Sequence, residues 1–531
     1  MQLIFLGADH EVTGSCHMLK ACGKNILIDC GLEQGIDEYE NQEIPVAPSA
    51  IDYILLTHAH IDHSGKLPLL YSQGFRGRVI ATTATCRLCG IMLLDSAHIQ
   101  MFEAEWRNRK GKRAGHEEYV PLYTTDDASG VLEQFEGCRY GEIIPLCKGL
   151  DVRFTDGGHL LGSASIEVFA EEEGEKRTIV FSGDIGNINQ PLIRDPQYIS
   201  KADYVVMEST YGTRLHNPPP DYVTRLADII QKTFDRGGNL VIPSFAVGRT
   251  QELLYFLRKI KADGLIQGHE GFPVYVDSPL AIEAANIFNE NVADYFDEEA
   301  MELVQQGINP IGFADLKTAV SSEESRQINF DRQCKVIISA SGMCEAGRIK
   351  HHLKHNLWRP ESTVLFVGYQ AAGTLGRSLQ EGAKRVRLFS EEIEVKAEIA
   401  TLEGVSGHAD KLGLLRYIHA FSPKPKRVFV VHGSTEACDA FTACLREDQH
   451  YTADAPYSGA VYDLVRDVWL NKGERIEVKR PAAKRLSDVF TRLVAAGKRL
   501  MAVIEQNRGG SNKELARFTS QIHALCDKWE R

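Results

Sequence analysis

Six consecutive residues, His58-Ala59-His60-Ile61-Asp62-His63, constrain this chain more than any other stretch. Four of the six carry side chains that bind metals, and they directly follow the β-rich run Tyr53–Thr57. Zinc takes neutral imidazole nitrogens and carboxylate oxygens at about 2.0–2.2 Å, so ligands crowded on one loop after a strand suit it. The chain has 18 His in 531 residues, so a chance cluster of surface polar groups is a poor account of three His and an Asp in one such window. His58 and His60 can face one metal while Asp62 and His63 turn to a second. Taken alone, the segment marks a two-metal hydrolase.

One loop cannot close two sites. The remaining ligands must be His or Asp at other strand ends, where flanking glycines let the backbone bend close. Gly157-Gly158-His159, Phe181-Ser-Gly183-Asp184 and Val431-His432-Gly433 each have that form. A lone His is usually an ordinary polar residue, but three such strand ends beside a strong cluster raise one another.

The chain is too long for one ordinary core, so two large domains or one domain with a large insertion are expected. Residues 1–210 alternate short β-rich runs with turns: Gln2–Leu6, Asn25–Asp29, Tyr53–Thr57, Arg78–Thr82, Ser165–Phe169, Thr178–Ser182 and Tyr204–Glu208. Ala84–Trp106 reads as a helix and its polar continuation Arg107–His116 as a loop. From Tyr211 to Ser390 helices and strands alternate, as in a parallel α/β unit. A long helical stretch is expected to run there to about Gln306. Residues 391–478, with strands Glu394–Leu402 and Arg427–Val431, read as completion of the first domain. The tail, 479–531, has apolar residues at helical spacing on two segments: Leu486, Val489, Phe490, Leu493, Leu500 and Val503, then Leu515, Phe518, Ile522, Leu525 and Trp529. A turn at Arg508–Asn512 between them predicts a helical hairpin that packs on the body or joins a homodimer.

No apolar run is long enough to span a bilayer, and Met1–Gly7 reads as a strand, not a signal peptide. A cytoplasmic protein without a membrane partner is expected, with its twelve cysteines as free thiols. Cys86-Arg-Leu-Cys89 has no second pair nearby and reads as two thiols on a helix. The net charge is −12; from Pro481 to Arg531 ten Lys or Arg stand against five Asp or Glu, so the rest of the chain stands near −17. This argues mildly against a protein that coats nucleic acid, but a metal-lined cleft can still meet phosphates.

In order and in strand-end setting, the series Asp29, His58-x-His60-x-Asp62-His63, His159, Asp184 resembles the metallo-β-lactamase superfamily. Met207-Glu208-Ser209-Thr210-Tyr211-Gly212, Val405-Ser406-Gly407-His408-Ala409 and Val431-His432-Gly433 resemble the A, B and C motifs of the β-CASP nucleases. Pro243-Ser-Phe-Ala-Val-Gly248-Arg249, Asp277-Ser278-Pro279 and Ser341-Gly342-Met343 narrow the likeness to prokaryotic relatives of the cleavage and polyadenylation specificity factor nuclease subunit. The likeness covers Met1 to about Tyr462. It implies an α/β fold: a metallo-β-lactamase αββα sandwich with an inserted parallel β-CASP domain.

The resemblance also implies roles. His58, His60 and His159 would hold one zinc; Asp62, His63 and His432 a second; Asp184 would bridge them, giving two Zn2+ per subunit. A metal-bridging hydroxide would attack an RNA phosphodiester, with His408 as general acid and Glu208 holding it charged. Asp62 and Asp184 would thus serve the chemistry as well as the metals, and Asp29 would support the His58–His63 loop. Products would carry a 5′-phosphate and a 3′-hydroxyl. Blander roles exist: Glu208 capping a turn, His408 binding a backbone carbonyl.

Further phosphate contacts are expected from loops able to form anion nests, at Ser341, Gly342, Ser406 and Gly407, with Arg377 and Ser378 adding a guanidinium and a hydroxyl. Arg249, which opens a helix, can equally pair with an acidic neighbour. A ribonuclease acting on single-stranded RNA is the leading reading, endonucleolytic, with 5′-exonuclease action as a second mode. His432 favours RNA over DNA, because the DNA-acting β-CASP branch has Val at that position. A small-molecule hydrolase would not need the large insert, and a non-catalytic scaffold would not need every ligand position filled.

Overall fold

The computed structural model describes residues 1–34, 39–111, 119–217, 221–371, 373–402, 406–478 and 488–529. Two mixed sheets form the first domain. One runs Val468–Asn471, Val461–Asp463, Gln2–Gly7, Cys16–Ala21, Lys24–Ile28, Tyr53–Leu55, Arg78–Thr82 and Phe135–Cys138; the other runs Ala453–Asp454, Arg427–Val431, Tyr204–Glu208, Glu175–Phe181, Ala164–Glu172, Leu150–Asp156 and Ile143–Cys147.

Successive side chains of a strand point to opposite faces, and here both faces are covered. Tyr204 and Val206 enter the core between the sheets with Phe5, Ile28, Ile166 and Phe429. Val205 and Met207 point outward against Leu414, Ile418 and Phe441. On the facing sheet Leu55 and Ile80 point inward, while Ile54 and Val79 meet Leu88 and Leu93 of the helix Thr83–Gly111. The layers are helix, sheet, sheet, helix. Each fully buried side chain of this kind contributes about 1.5–3 kcal/mol relative to exposure, so the strand ends that carry the site are rigidly placed.

The insert is a six-stranded parallel sheet in the order Leu316–Thr318, Val274–Val276, Val336–Ser339, Leu240–Pro243, Thr363–Phe366 and Glu398–Thr401. Val241, Ile337 and Val364 cover one face with Leu353 and Leu379. Leu240, Ile242 and Val336 cover the other with Leu226, Ile230 and Leu257, in an apolar cluster that continues into the first domain. At that junction the backbone N–H of Ala84 donates to the Tyr295 hydroxyl at 3.3 Å. The C-terminal ends of the insert strands face the metal domain: a Cβ at Gly248 would lie 3.1 Å from a Leu160 methyl, one residue past His159.

Three elements differ from expectation. Glu398–Thr401, expected in the returning first domain, pairs in parallel with Thr363–Phe366 and closes the insert's sheet. A short polar strand has no periodicity that says which sheet it will join; the partner edge decides. The helix expected to end at Trp106 continues to Gly111, because polar residues on an exposed face extend a helix as well as apolar ones; residues 112–118 lie outside the described ones. The stretch expected as one helix to Gln306 is three, Pro279–Glu290, Val292–Tyr295 and Glu298–Gln305, the last restarted where Asp297 accepts from the Ala300 N–H at 2.7 Å.

In the tail, helices Asp488–Gln506 and Asn512–Trp529 flank a turn at which the Ser511 hydroxyl caps the second helix; Leu486 lies outside the described residues. Arg499 reaches the body at Gly74, whereas Leu525 and Trp529 are exposed. Among the described residues no helix is long and apolar enough to cross a membrane.

Candidate metal centre

Seven ligand candidates from four places in the chain converge at one end of the sandwich. His58 Nε2, His60 Nδ1 and His159 Nε2 face one another, at 3.0 Å between His58 and His60 and 3.2 Å between His159 and His60. Asp184 Oδ2 lies 3.4 Å from both His58 Nε2 and His159 Nε2. Its other oxygen, Oδ1, is 3.3 Å from His63 Nε2 and 3.5 Å from His432 Nδ1. Asp62 closes this second group, 3.7 Å from His432 Nε2 and 4.0 Å from His63 Nε2. The donor atoms of His58, His60, His159 and Asp184 lie within 4.8 Å of one another, and so do those of Asp62, His63 and His432, as one ion's ligands must.

The donors fit a metal for a further reason. The outward nitrogens are occupied: His63 Nδ1–H donates to Asp29 Oδ2 at 2.7 Å, and His159 Nδ1–H donates to the Gly407 carbonyl at 3.1 Å. That sets the tautomer and leaves the Nε2 lone pairs pointing inward at each other. Asp184 Oδ1 is buried with no hydrogen-bond partner among the described residues. Converging lone pairs and an orphaned carboxylate oxygen are costly unless a cation sits between them.

Titration follows the same logic. Burial pushes His58, His60 and His159 below the usual imidazole range, which keeps them neutral ligands. Burial opposes charging at His63 and His432 too, but Asp184 and Asp29 beside the first, and Asp184 and Asp62 beside the second, outweigh it and raise both. Burial likewise resists ionising Asp62, yet the hydrogen bond from His432 and the charge of His63 hold it down to about 2. Asp184 is held well below the carboxylate range, with His432 and His63 overcoming its burial. The pocket draws protons onto His63 and His432, and a bound cation would replace them.

Backbone geometry supports the loops. Asp29 and His432 take left-handed φ values of 59° and 50°, conformations held only where surroundings enforce them. A Cβ at Gly31 would lie 1.6 Å from the Asp62 carbonyl oxygen, so only glycine lets this turn pass behind the His58–His63 loop. Ser15 N–H donates to that same carbonyl at 2.8 Å.

The third group is Asp184, Glu208 and His408. His408 Nδ1–H donates to Glu208 Oε1 at 3.2 Å, and its Nε2 stands 3.9 Å from Asp184 Oδ2. Glu208 is itself held by the N–H groups of Ile185 at 2.6 Å and Thr210 at 3.1 Å. Burial works against the His408 charge, but Glu208 and Asp184 prevail and lift it to about 9.

The candidate phosphate contacts are divided. Ser406 and Gly407 border the centre, with a Cβ at Gly407 only 3.3 Å from His159 Cε1. Ser341 and Gly342 lie beyond them on the insert, where Ser341 Oγ bonds the Ala346 backbone and Gly342 touches Phe245. Arg377 Nε donates to Glu381 at 2.6 Å and Ser378 Oγ to the Thr374 carbonyl at 3.2 Å, both within their own helix. Arg249 pairs with Glu252.

Thr57 is marked in the sequence only as the polar strand end before His58, with no role of its own. Its hydroxyl contacts Asp29 at 2.9 and 3.0 Å and His58 Nδ1 at 3.1 Å. Thr57→Val keeps the shape and removes this link, and is expected to weaken metal affinity about 10–100-fold. Competition with a chromophoric chelator measures it, and an unchanged affinity would show the hydroxyl to be idle.

Comparison with known proteins agrees with this geometry. Residues 11–81 match the metallo-beta-lactamase superfamily, residues 250–379 the Beta-Casp domain, and residues 392–456 the Zn-dependent metallo-hydrolase RNA specificity domain. Ribonuclease TTHA0252 of Thermus thermophilus is 38% identical, over 82% of this chain and 94% of that protein. Transcription termination factor FttA of Methanosarcina mazei is 32% identical, over 82% of this chain and 67% of that protein. An RNase J-like protein of Methanocaldococcus jannaschii is 28% identical, over 87% of this chain and 99% of that protein. The metal-binding strand ends, the inserted parallel domain and relatives that align along most of their length lead to one conclusion: the chain belongs to the β-CASP subfamily of metallo-β-lactamase-fold nucleases.

Proposed function

We propose that this metal-dependent ribonuclease holds two zinc ions per subunit and cleaves single-stranded RNA, chiefly within the strand and secondarily from 5′ ends. The observation that carries the reading is Asp184, whose two oxygens face two separate histidine groups, with the His408–Glu208 pair at their edge. His58, His60 and His159 would hold one ion, Asp62, His63 and His432 the other, and Asp184 both. Imidazole nitrogens with a few carboxylates suit zinc better than magnesium or calcium. Bound there, two zinc ions would supply a nucleophilic hydroxide at neutral pH and offset the charge of the phosphate.

The protein's own part is proton delivery. Glu208 accepts from Nδ1 and so keeps His408 charged with Nε2–H turned toward the metals, placed to protonate the departing 3′ oxygen. The products would be a 5′-phosphate and a 3′-hydroxyl. His216 Nε2–H donates to the His408 carbonyl at 3.0 Å and steadies that loop. Ser406 and Gly407, next to His408, are placed to contact phosphate. Twelve free cysteines fit a cytoplasmic site of action, and the exposed Leu525 and Trp529 suit a homodimer contact.

RNA and DNA of one sequence, each labelled at one end, test the reading. RNA is expected to be cleaved at internal positions and DNA left largely intact, as His432 and the matched RNA specificity domain suggest. Preferred cleavage of DNA would overturn the substrate assignment. Release of only terminal nucleotides would overturn the internal mode.

A further inference from the structure

A cavity of about 290 Å³ lies beside the metal centre and has no part in the metal chemistry. Gly186 and Ser406 line it. Gly186 forms a β-bridge with His408, and Gly407, adjoining Ser406, carries the carbonyl that fixes His159. The cavity therefore adjoins the loop that carries His408, reaching Ala409 one residue beyond it.

Two aromatic rings from the insert, Tyr222 and Phe256, form one wall with centroids 5.5 Å apart, and Tyr198 of the metal domain stands half exposed on the lining. The side-chain amides of Asn189 and Asn217 also line it, and like the Tyr198 and Tyr222 hydroxyls they have no hydrogen-bond partner among the described residues. The acidic groups there are already engaged. Asp410 accepts from the N–H groups of Gly413 at 2.9 Å and His216 at 3.1 Å, and Glu252 pairs with Arg249. What remains is aromatic faces, neutral donors and acceptors and the guanidinium of Arg416, which together are how proteins hold single-stranded nucleotides. At the low end of the roughly 300–1,000 Å³ range of small-molecule sites, the cavity suits one base and not an oligonucleotide.

We propose that this cavity receives the base of the ribonucleotide on the 3′-hydroxyl side of the cleaved bond, stacked on Tyr222 and bonded by Asn189 or Asn217. The proposal rests on the ribonuclease reading, in which His408 protonates that nucleotide's 3′ oxygen. It gives the insert a second duty: besides covering the metals it holds the strand that leaves.

Two measurements test it on the full chain. In the first, adenosine and uridine, which offer the metals no phosphate, are titrated into wild type, Tyr222→Leu and Asn217→Ala by calorimetry. Binding is expected in the wild type and is expected to weaken about ten-fold in Tyr222→Leu, with a smaller loss in Asn217→Ala, whose exposed side chain the fold does not need. In the second, two RNAs differ only in an abasic residue just upstream of the cleaved bond. The wild type is expected to prefer the intact RNA about ten-fold in kcat/KM, and Tyr222→Leu to lose that preference. Nucleoside binding equal in all three proteins, or an abasic RNA cleaved as fast as the intact one, would overturn the proposal. Nucleoside binding that depends on Tyr222 in a protein that cleaves no RNA would support the pocket and overturn the ribonuclease reading instead.

Discussion

Asp184→Ala is expected to lower RNA cleavage at least ~10³-fold and to reduce the bound metal below two ions per chain. No other candidate ligand in the centre serves both groups: Oδ2 faces His58 and His159, and Oδ1 faces His63 and His432. Removing it would leave five imidazoles, four of them buried, with Asp62 as the other candidate carboxylate, and would weaken both sites at once. Loss of any one histidine should empty chiefly its own site. Metal analysis after gel filtration, alongside cleavage rates, separates the two patterns. Asp184→Asn should fall close to the Ala variant, because an amide offers one oxygen and no charge. Full RNA cleavage by the Ala variant would remove the bridge from the mechanism.

His408→Ala should act differently, lowering cleavage about 10²–10⁴-fold while both metals stay bound. The side chain stands 3.9 Å from Asp184 and its Nδ1 is given to Glu208, so the service proposed for it is a proton and not ligation. An RNA whose departing oxygen is replaced by sulfur, a far better leaving group, needs no such proton. It should be cleaved at nearly equal rates by wild type and variant. A defect that persists on the sulfur substrate would assign His408 to metal or substrate binding instead. The pH dependence gives the sign independently. A general acid works below its pKa, and Glu208 and Asp184 hold His408 up to about 9 against its burial, so activity should fall as the pH rises through that region. In Glu208→Gln the imidazole gives up its proton sooner, and the fall should move to lower pH.

Much of this site could be read in the chain because metal chemistry restricts residue type so severely. His58, His60, Asp62 and His63 are close in sequence, and strand-end glycines mark His159, Asp184 and His432. The supporting partners are less visible. Thr57 and Ser15 are common residue types whose function comes only from proximity to Asp29 and Asp62. Arg377 is the reverse case: a guanidinium in a glycine-rich loop looks made for phosphate, and only the fold shows that Glu381 one helical turn away pairs with it. The fold shows the same division. The long buried strands were apparent from their apolar runs, whereas Glu398–Thr401 joined the insert's sheet by pairing with an edge that no local pattern announces.

What the sequence determined by itself was the chemistry, because ligand types and their spacing along one loop do not depend on the rest of the fold. It determined too that a large α/β unit interrupts the first domain. Only the tertiary structure decided which oxygen of Asp184 meets which group, that Glu208 sits at His408 and not in a turn of its own, and that an aromatic cavity opens beside them. Those relations join residues 200 positions apart. They follow from how two sheets pack and how an insert docks, which is a property of buried surfaces as a whole and not of any one segment.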